Sequence, residues 1–169
     1  MTDFPLFALS EEHQAIREAV RAVCDAKVAP YAAEADESGA FPQQAFDALA
    51  AADFAAPHIA EEYGGAGADA LATCIVIEEV ARACAASSLI PGVNKLGTMP
   101  IILAGSDDLK KKYLSPVAAG TGMFSYCLSE PDSRMGMEPS LFTAGISDEE
   151  AQTRATSSIT MQVVTASAP

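Results

Sequence analysis

Apolar positions recur at helical spacing along most of the chain and then give way to alternation. Ile16, Ala19, Val20 and Val23 share one face of a segment whose other faces carry Arg17, Glu18 and Arg21, the pattern of an amphipathic helix. Ser10 stands where a cap is needed, and Glu11 and Glu12 follow it at the positive end of the helix. Pro30 must end or kink this element. A second helix is expected from Phe41-Pro42, with Pro42 at a first helical position. Phe46 and Leu49 then face inward, while Ala48, Ala50, Ala51 and Ala52 favour the helix. Asp69 caps a third helix over Leu71–Ala86, apolar nearly all round and therefore central. A fourth is expected near Leu89–Leu103 despite Pro91, Gly92 and Pro100. Gly105 ends it, and Ser106 caps a short helix that runs through Lys110–Lys112 toward Pro116.

At Gly120 the texture changes. Met123–Ser129 alternates large and small residues and places Phe124, Tyr126 and Leu128 on one face, the period of a strand. Glu130, Pro131 and Asp132 stop it. The fold class that follows is all-α, about five helices and then a strand with no partner before it in the chain. A lone strand is not stable in water, so the pattern reads as an interrupted one.

Composition narrows the function classes. The 169 residues are 50% hydrophobic, which suits one core and excludes a disordered tail protein. Ten basic against 23 acidic residues leave a formal charge of −13, which repels phosphate backbones and anionic lipid alike. Nucleic acid and membrane partners are therefore not expected. No apolar run approaches the roughly 18 residues of a membrane helix, and the N-terminus lacks the basic and apolar regions of a secretory signal. The expected location is the cytoplasm.

Cys24, Cys74, Cys84 and Cys127 are scattered, with no C-x-x-C and only His13 and His58 as co-ligands. No metal site or disulfide is expected, and the four are read as buried, reduced thiols. Gly64, Gly65 and Gly67 allow turns, but no strand leads into them and no Lys-Ser/Thr follows, so they are not a phosphate loop. Lys110–Lys112 read as a solvated face.

Four stretches together carry a more specific signal: the opening helix, HIAEEYGGAGAD from His58, VNKLGTMPIILAGSDDLKKKYL from Val93, and FSYCLSEP from Phe124. In order and spacing they resemble the N-terminal part of the acyl-CoA dehydrogenase family over residues 5–131. That resemblance implies an N-terminal helical domain over 1–119 and the start of a β-domain over 120–133. It also implies FAD as cofactor, acyl-CoA as substrate, and the dehydrogenation step of fatty acid β-oxidation. In the family a glutamate takes the α-proton and a hydride passes to the flavin. The resemblance places Tyr126, Cys127, Leu128 and Ser129 at the flavin, and Leu96, Thr98 and Ile102 along the acyl pocket. Read from the residues alone, Tyr126 and Leu128 simply pack a sheet.

The pattern breaks after Pro131. Asp132-Ser133-Arg134 stands where the family continues Gly-Ala-Gly-Ser-Asp, and no acidic residue here matches the catalytic glutamate. The expectation is a truncated family member, inactive alone, with no assigned catalytic residue. The alternative is a non-catalytic helical fragment or pseudogene product, self-associating or docking onto a full-length homologue.

The tail over 134–169 has few large apolar residues and many Ser, Thr and Ala, a composition expected to be disordered or loosely helical. It is not foreign to the rest of the chain, however. On the opposite DNA strand, shifted by one base, the first two bases of each codon fix the first two bases of an antisense codon. Read backwards from Pro169 to Met135, the tail then reproduces Gly67–Ile101 without gaps, given free choice among synonymous codons and wobble bases. The exceptions lie opposite Leu71, Ala72, Ala83, Ala86, Gly92 and Thr98.

Overall fold

The computed structural model describes residues 8–127 and 160–165, with side chains to Phe124. Helix α1 spans Glu11–Lys27, and the Ser10 hydroxyl accepts from the His13 backbone N–H as the cap predicts. It buries Val20 and Cys24 and ends where Val28 leads into a single 3₁₀ turn at Ala29–Tyr31. Helix α2, Ala32–Ser38, is an addition to the expected elements: it fully buries no residue, and only Ala32 and Ala35 pack on the core, a period too short to announce it. Gly39, at φ 62, terminates it in the left-handed conformation that glycine adopts without strain. Helix α3 spans Gln43–Ala50. Pro42 therefore sits at the cap position, one place earlier than predicted, and its carbonyl receives the Phe46 N–H.

Asp69 caps helix α4, Ala70–Ala83, by accepting from Ala72 at 2.7 Å. The pattern had carried this helix on to Ala86. It stops earlier because Cys84 is extended (φ −156, ψ 112), and helix α5 starts at once, Ala85–Ala104. Pro91 and Pro100 both lie inside α5. Ser106 caps helix α6, Asp107–Ala118, which passes through Pro116 instead of stopping there.

Strand β1, Gly122–Cys127, begins where alternation was read. It pairs antiparallel with β2, Thr160–Thr165, in the register Gly122↔Thr165 to Cys127↔Thr160. Two expectations change here. The first strand has a partner, and residues 160–165 of the tail supply it as a strand. The β-branched residues Thr160, Val163, Val164 and Thr165 suit that role. Leu128 to Ile159 and Ala166 to Pro169 lie outside the described residues, as does the rest of the expected tail.

Two cores hold the helices together. The first joins Val20, Cys24 and Val28 to Phe46, Leu49, Val76, Val80 and Ile90. The second joins Ala56, Ile59, Ile101, Leu114, Val117 and Phe124. Between α1 and α4 the buried carboxylate of Glu79, 2% exposed, receives Arg21 at 2.7 Å and Arg82 at 2.9 Å. Arg17 pairs with Glu78 at 3.4 Å, and Arg82 also reaches Asp25. The thiols divide differently from expectation. Cys24 and Cys84 are buried, but Cys74 is exposed, on the outward side of α4 near Leu71. Burial pushes the Cys24 thiol up to about 11. Among the described residues no helix is long and apolar enough to cross a membrane.

Candidate functional site

The junction between α5 and β1 holds two fully buried polar residues, Asn94 and Thr98. Asn94, fully buried on α5, donates through its amide to the Ala55 carbonyl at 3.0 Å and accepts the Phe124 backbone N–H at 2.9 Å. Its side chain thus stands in for a peptide group beside β1. Buried amides are costly unless both ends are satisfied, and here both are. One helical turn further on, Thr98 donates its hydroxyl proton to the Asn94 carbonyl at 2.7 Å. That leaves the Thr98 oxygen to accept from His58 Nε2 at 2.6 Å. The Thr98 proton is spent on a carbonyl, so the hydrogen-bond network assigns the proton of His58 to Nε2. Its Nδ1 is then a buried acceptor with no partner among the described residues. Burial, with the Lys95 charge second, pushes His58 down to about 4, so it is neutral near pH 7.

Close packing completes the junction. A Cβ built on Gly97 would meet the Phe124 Cβ at 2.6 Å, so only glycine lets the strand lie this near the helix. On its other side Phe124, 0% exposed, meets the Tyr113 ring edge-on at a centroid distance of 6.4 Å. The loop at His58 is itself tightly wound. A Cβ on Gly65 would fall 2.1 Å from the Ile59 carbonyl oxygen, and Gly64 lies at φ 87.

The residues assigned to the acyl pocket fall on two faces of α5. At about 100° per residue, Thr98 and Ile102 stand about 40° apart, whereas Leu96 lies about 160° from Thr98. Thr98 is fully buried and Ile102 half-buried against the second core. Leu96 is 50% exposed and lines up with Leu89 and Leu103, 57% and 76% exposed, along the opposite stripe. Tyr126 and Cys127 lie in β1. Leu128 and Ser129 are outside the described residues. Asn94 and His58 were not singled out as site residues in the sequence. The available signal was a lone amide among apolar helical neighbours, which marks a buried hydrogen-bonding role when its helix is central.

With this geometry in place, comparisons with known proteins are specific. Residues 10–121 match the model of the N-terminal domain of acyl-CoA dehydrogenase. A probable acyl-CoA dehydrogenase of Mycobacterium tuberculosis is 57% identical over 130 residues, which are 77% of this chain and 33% of that protein. A probable acyl-CoA dehydrogenase of Bacillus subtilis is 34% identical over 75% of this chain and 34% of its own length. The solved acyl-CoA dehydrogenase of Bacillus anthracis, complexed with FAD, superposes with a TM-score of 0.64 at 27% identity, over 74% of this chain and 22% of that one. The chain thus spans about a third of the length of the curated relatives it matches.

Proposed function

The chain belongs to the acyl-CoA dehydrogenase family, and on that premise we propose that residues 8–127 are the N-terminal part of an FAD-dependent enzyme that oxidises acyl-CoA thioesters to enoyl-CoA. The observation that carries this reading is the docking of β1 on α5 through Asn94 and Gly97. It sets the strand that aligns with the family's flavin strand at a fixed place on the helical unit. Backbone groups alternate sides along a strand. Because the Phe124 N–H points to α5, the N–H and C=O of Tyr126 share that edge, opposite β2. A paired donor and acceptor on one edge suits the polar rim of an isoalloxazine ring. When bound, the flavin would supply the hydride acceptor. Tyr126, Cys127, Leu128 and Ser129 would hold it, while Thr98 and Ile102 shape the acyl side. Leu96 would reach that side only from the far face of α5.

No residue of this chain is assigned as catalytic base, and the chain alone is expected to be inactive. After incubation with FAD and desalting it should emerge colourless and reduce no dye with acyl-CoA. Joining the remainder of the Mycobacterium tuberculosis relative after Pro131 should give a yellow, dye-reducing enzyme. A colourless chimera that folds would overturn the proposal; flavin retention with turnover by the chain alone would overturn its inactivity.

The exposed stripe of Leu89, Leu96 and Leu103 favours a second reading, a non-catalytic module that docks onto a full-length homologue. Co-purification of the two, lost on replacing the stripe with glutamine, would support it. Migration as separate species would remove it.

A further inference from the structure

Strand β2 is the feature that the family leaves unexplained. Its six residues, Thr160–Thr165, stand in the antisense match opposite Leu71–Val76, which form the first half of α4. Thr160 answers Val76, Met161 answers Ile75, Gln162 answers Cys74, and Val163 answers Thr73. The one-base shift makes this possible. It exchanges the first two bases of each codon in complement, so Val maps to Thr, Ile to Ile or Met, Pro to Gly, and Ala and Arg to themselves. Except for Gly92, opposite Ala144, the prolines and glycines of α5 show the same exchange: Pro91, Gly97 and Pro100 stand opposite Gly145, Pro139 and Gly136.

The mapping also accounts for part of the strand. Thr160 and Val163 are carried over from the β-branched Val76 and Thr73, whereas Val164 and Thr165 lie opposite the mismatched Ala72 and Leu71. β-branched residues suit strands because their side chains are stiff at the first torsion. In α4 the same chemistry is held helical by burial, with Thr73, Ile75 and Val76 all inside the core. Read the other way, the segment pairs as a strand along β1.

We propose that the codons for residues 135–169 are an inverted copy of those for residues 67–101. Inversion of a copied segment, joined within the codons after Pro131, accounts for the family pattern stopping inside the chain and for the gapless match. The transcript of such a gene is self-complementary. The two copies pair as a stem, and the codons for residues 102–134 form its loop. A ribosome must open that stem to finish the chain.

The test is the base sequence of the gene in native genomic DNA, read at third codon positions. The amino-acid match leaves most of these bases free, because wobble pairs with wobble, and the count is taken at positions where both residues have four-fold codons. An inverted copy requires the third base of codon 76 to complement that of codon 159, and likewise along the whole segment. Complementarity at nearly all third positions is expected. Third bases that complement no more often than random bases, or a native locus without the inverted segment, would overturn the copy. The stem has its own readout. Recoding residues 135–169 with non-complementary synonymous codons leaves the protein unchanged and should raise full-length yield per transcript. An unchanged yield would overturn the stem.

Discussion

The α1–α4 half and the α5–β1 half are held by opposite chemistry. Between α1 and α4 the buried polar group is an ion, Glu79, satisfied by arginines whose heads reach water. Between α5 and β1 the buried groups are neutral, Asn94 and Thr98, bonded to backbone and, through Thr98, to the half-buried His58. A clasp of charges can bind two helices with side chains alone. Fixing a strand to a helix needs donors and acceptors that match a backbone, which amides and hydroxyls supply. The core of the first half also takes in Ile90 from α5, while the opposite face of α5 turns a leucine stripe outward.

Deleting the side chain that unites the second half should have the largest effect. Phe124→Ala is expected to lower stability by about 4 kcal/mol, read by chemical denaturation, with the α1–α4 half unfolding later. If both halves lose stability equally, the division is not real.

Acid separates the halves by pH window. His58 has a folded value near 4, below its ordinary 6.5, so the unfolded chain binds the proton first. Its contribution is whole above about pH 6.5 and is lost as pH falls toward 4, up to about 3 kcal/mol. Glu79 is held below the ordinary carboxylate value, first by the Arg21 hydrogen bond. Its contribution is whole above about pH 4.3 and is lost only as pH falls through the lower folded value. Stability measured from pH 7 to 4.5 should therefore slope in the native chain and flatten in His58→Gln. An identical slope in the variant would assign the effect elsewhere.

Two smaller effects sharpen the contrast. Gly97→Ala should cost about 2 kcal/mol through the clash with Phe124. Spectroscopy should place the change at β1; an unchanged midpoint would mean that the strand can move aside. Leu96→Gln should alter stability by less than about 0.5 kcal/mol, since its side chain is half exposed and belongs to neither core. A larger loss on denaturation would show that the stripe is packed in solution.

The helical unit was largely legible because its signals are local. Ser10, Asp69 and Ser106 each cap the helix they precede, and Phe46 and Leu49 point inward as the spacing required. Where the outcome depends on distant partners, the pattern falls short. Helix α2 packs only Ala32 and Ala35, both half-buried, against the first core, too slight an apolar period to stand out. The break at Cys84 falls among alanines that favour helix on both sides. Asn94 acts through Ala55 and Phe124, 39 and 30 residues away, and no spacing rule reaches that far. The family resemblance assigned Leu96 and Thr98 to one pocket, whereas α5 places one half exposed and the other fully buried.

The Asn94 amide also acts as a key for alignment. With the Phe124 N–H committed to α5, β1 cannot slide along the helix without stranding a buried amide, and a one-residue slip would also turn Phe124 outward. Any strand that adds to β1 therefore inherits its register from the helical unit. The starting offset of a sheet is written in one helical side chain before the sheet exists.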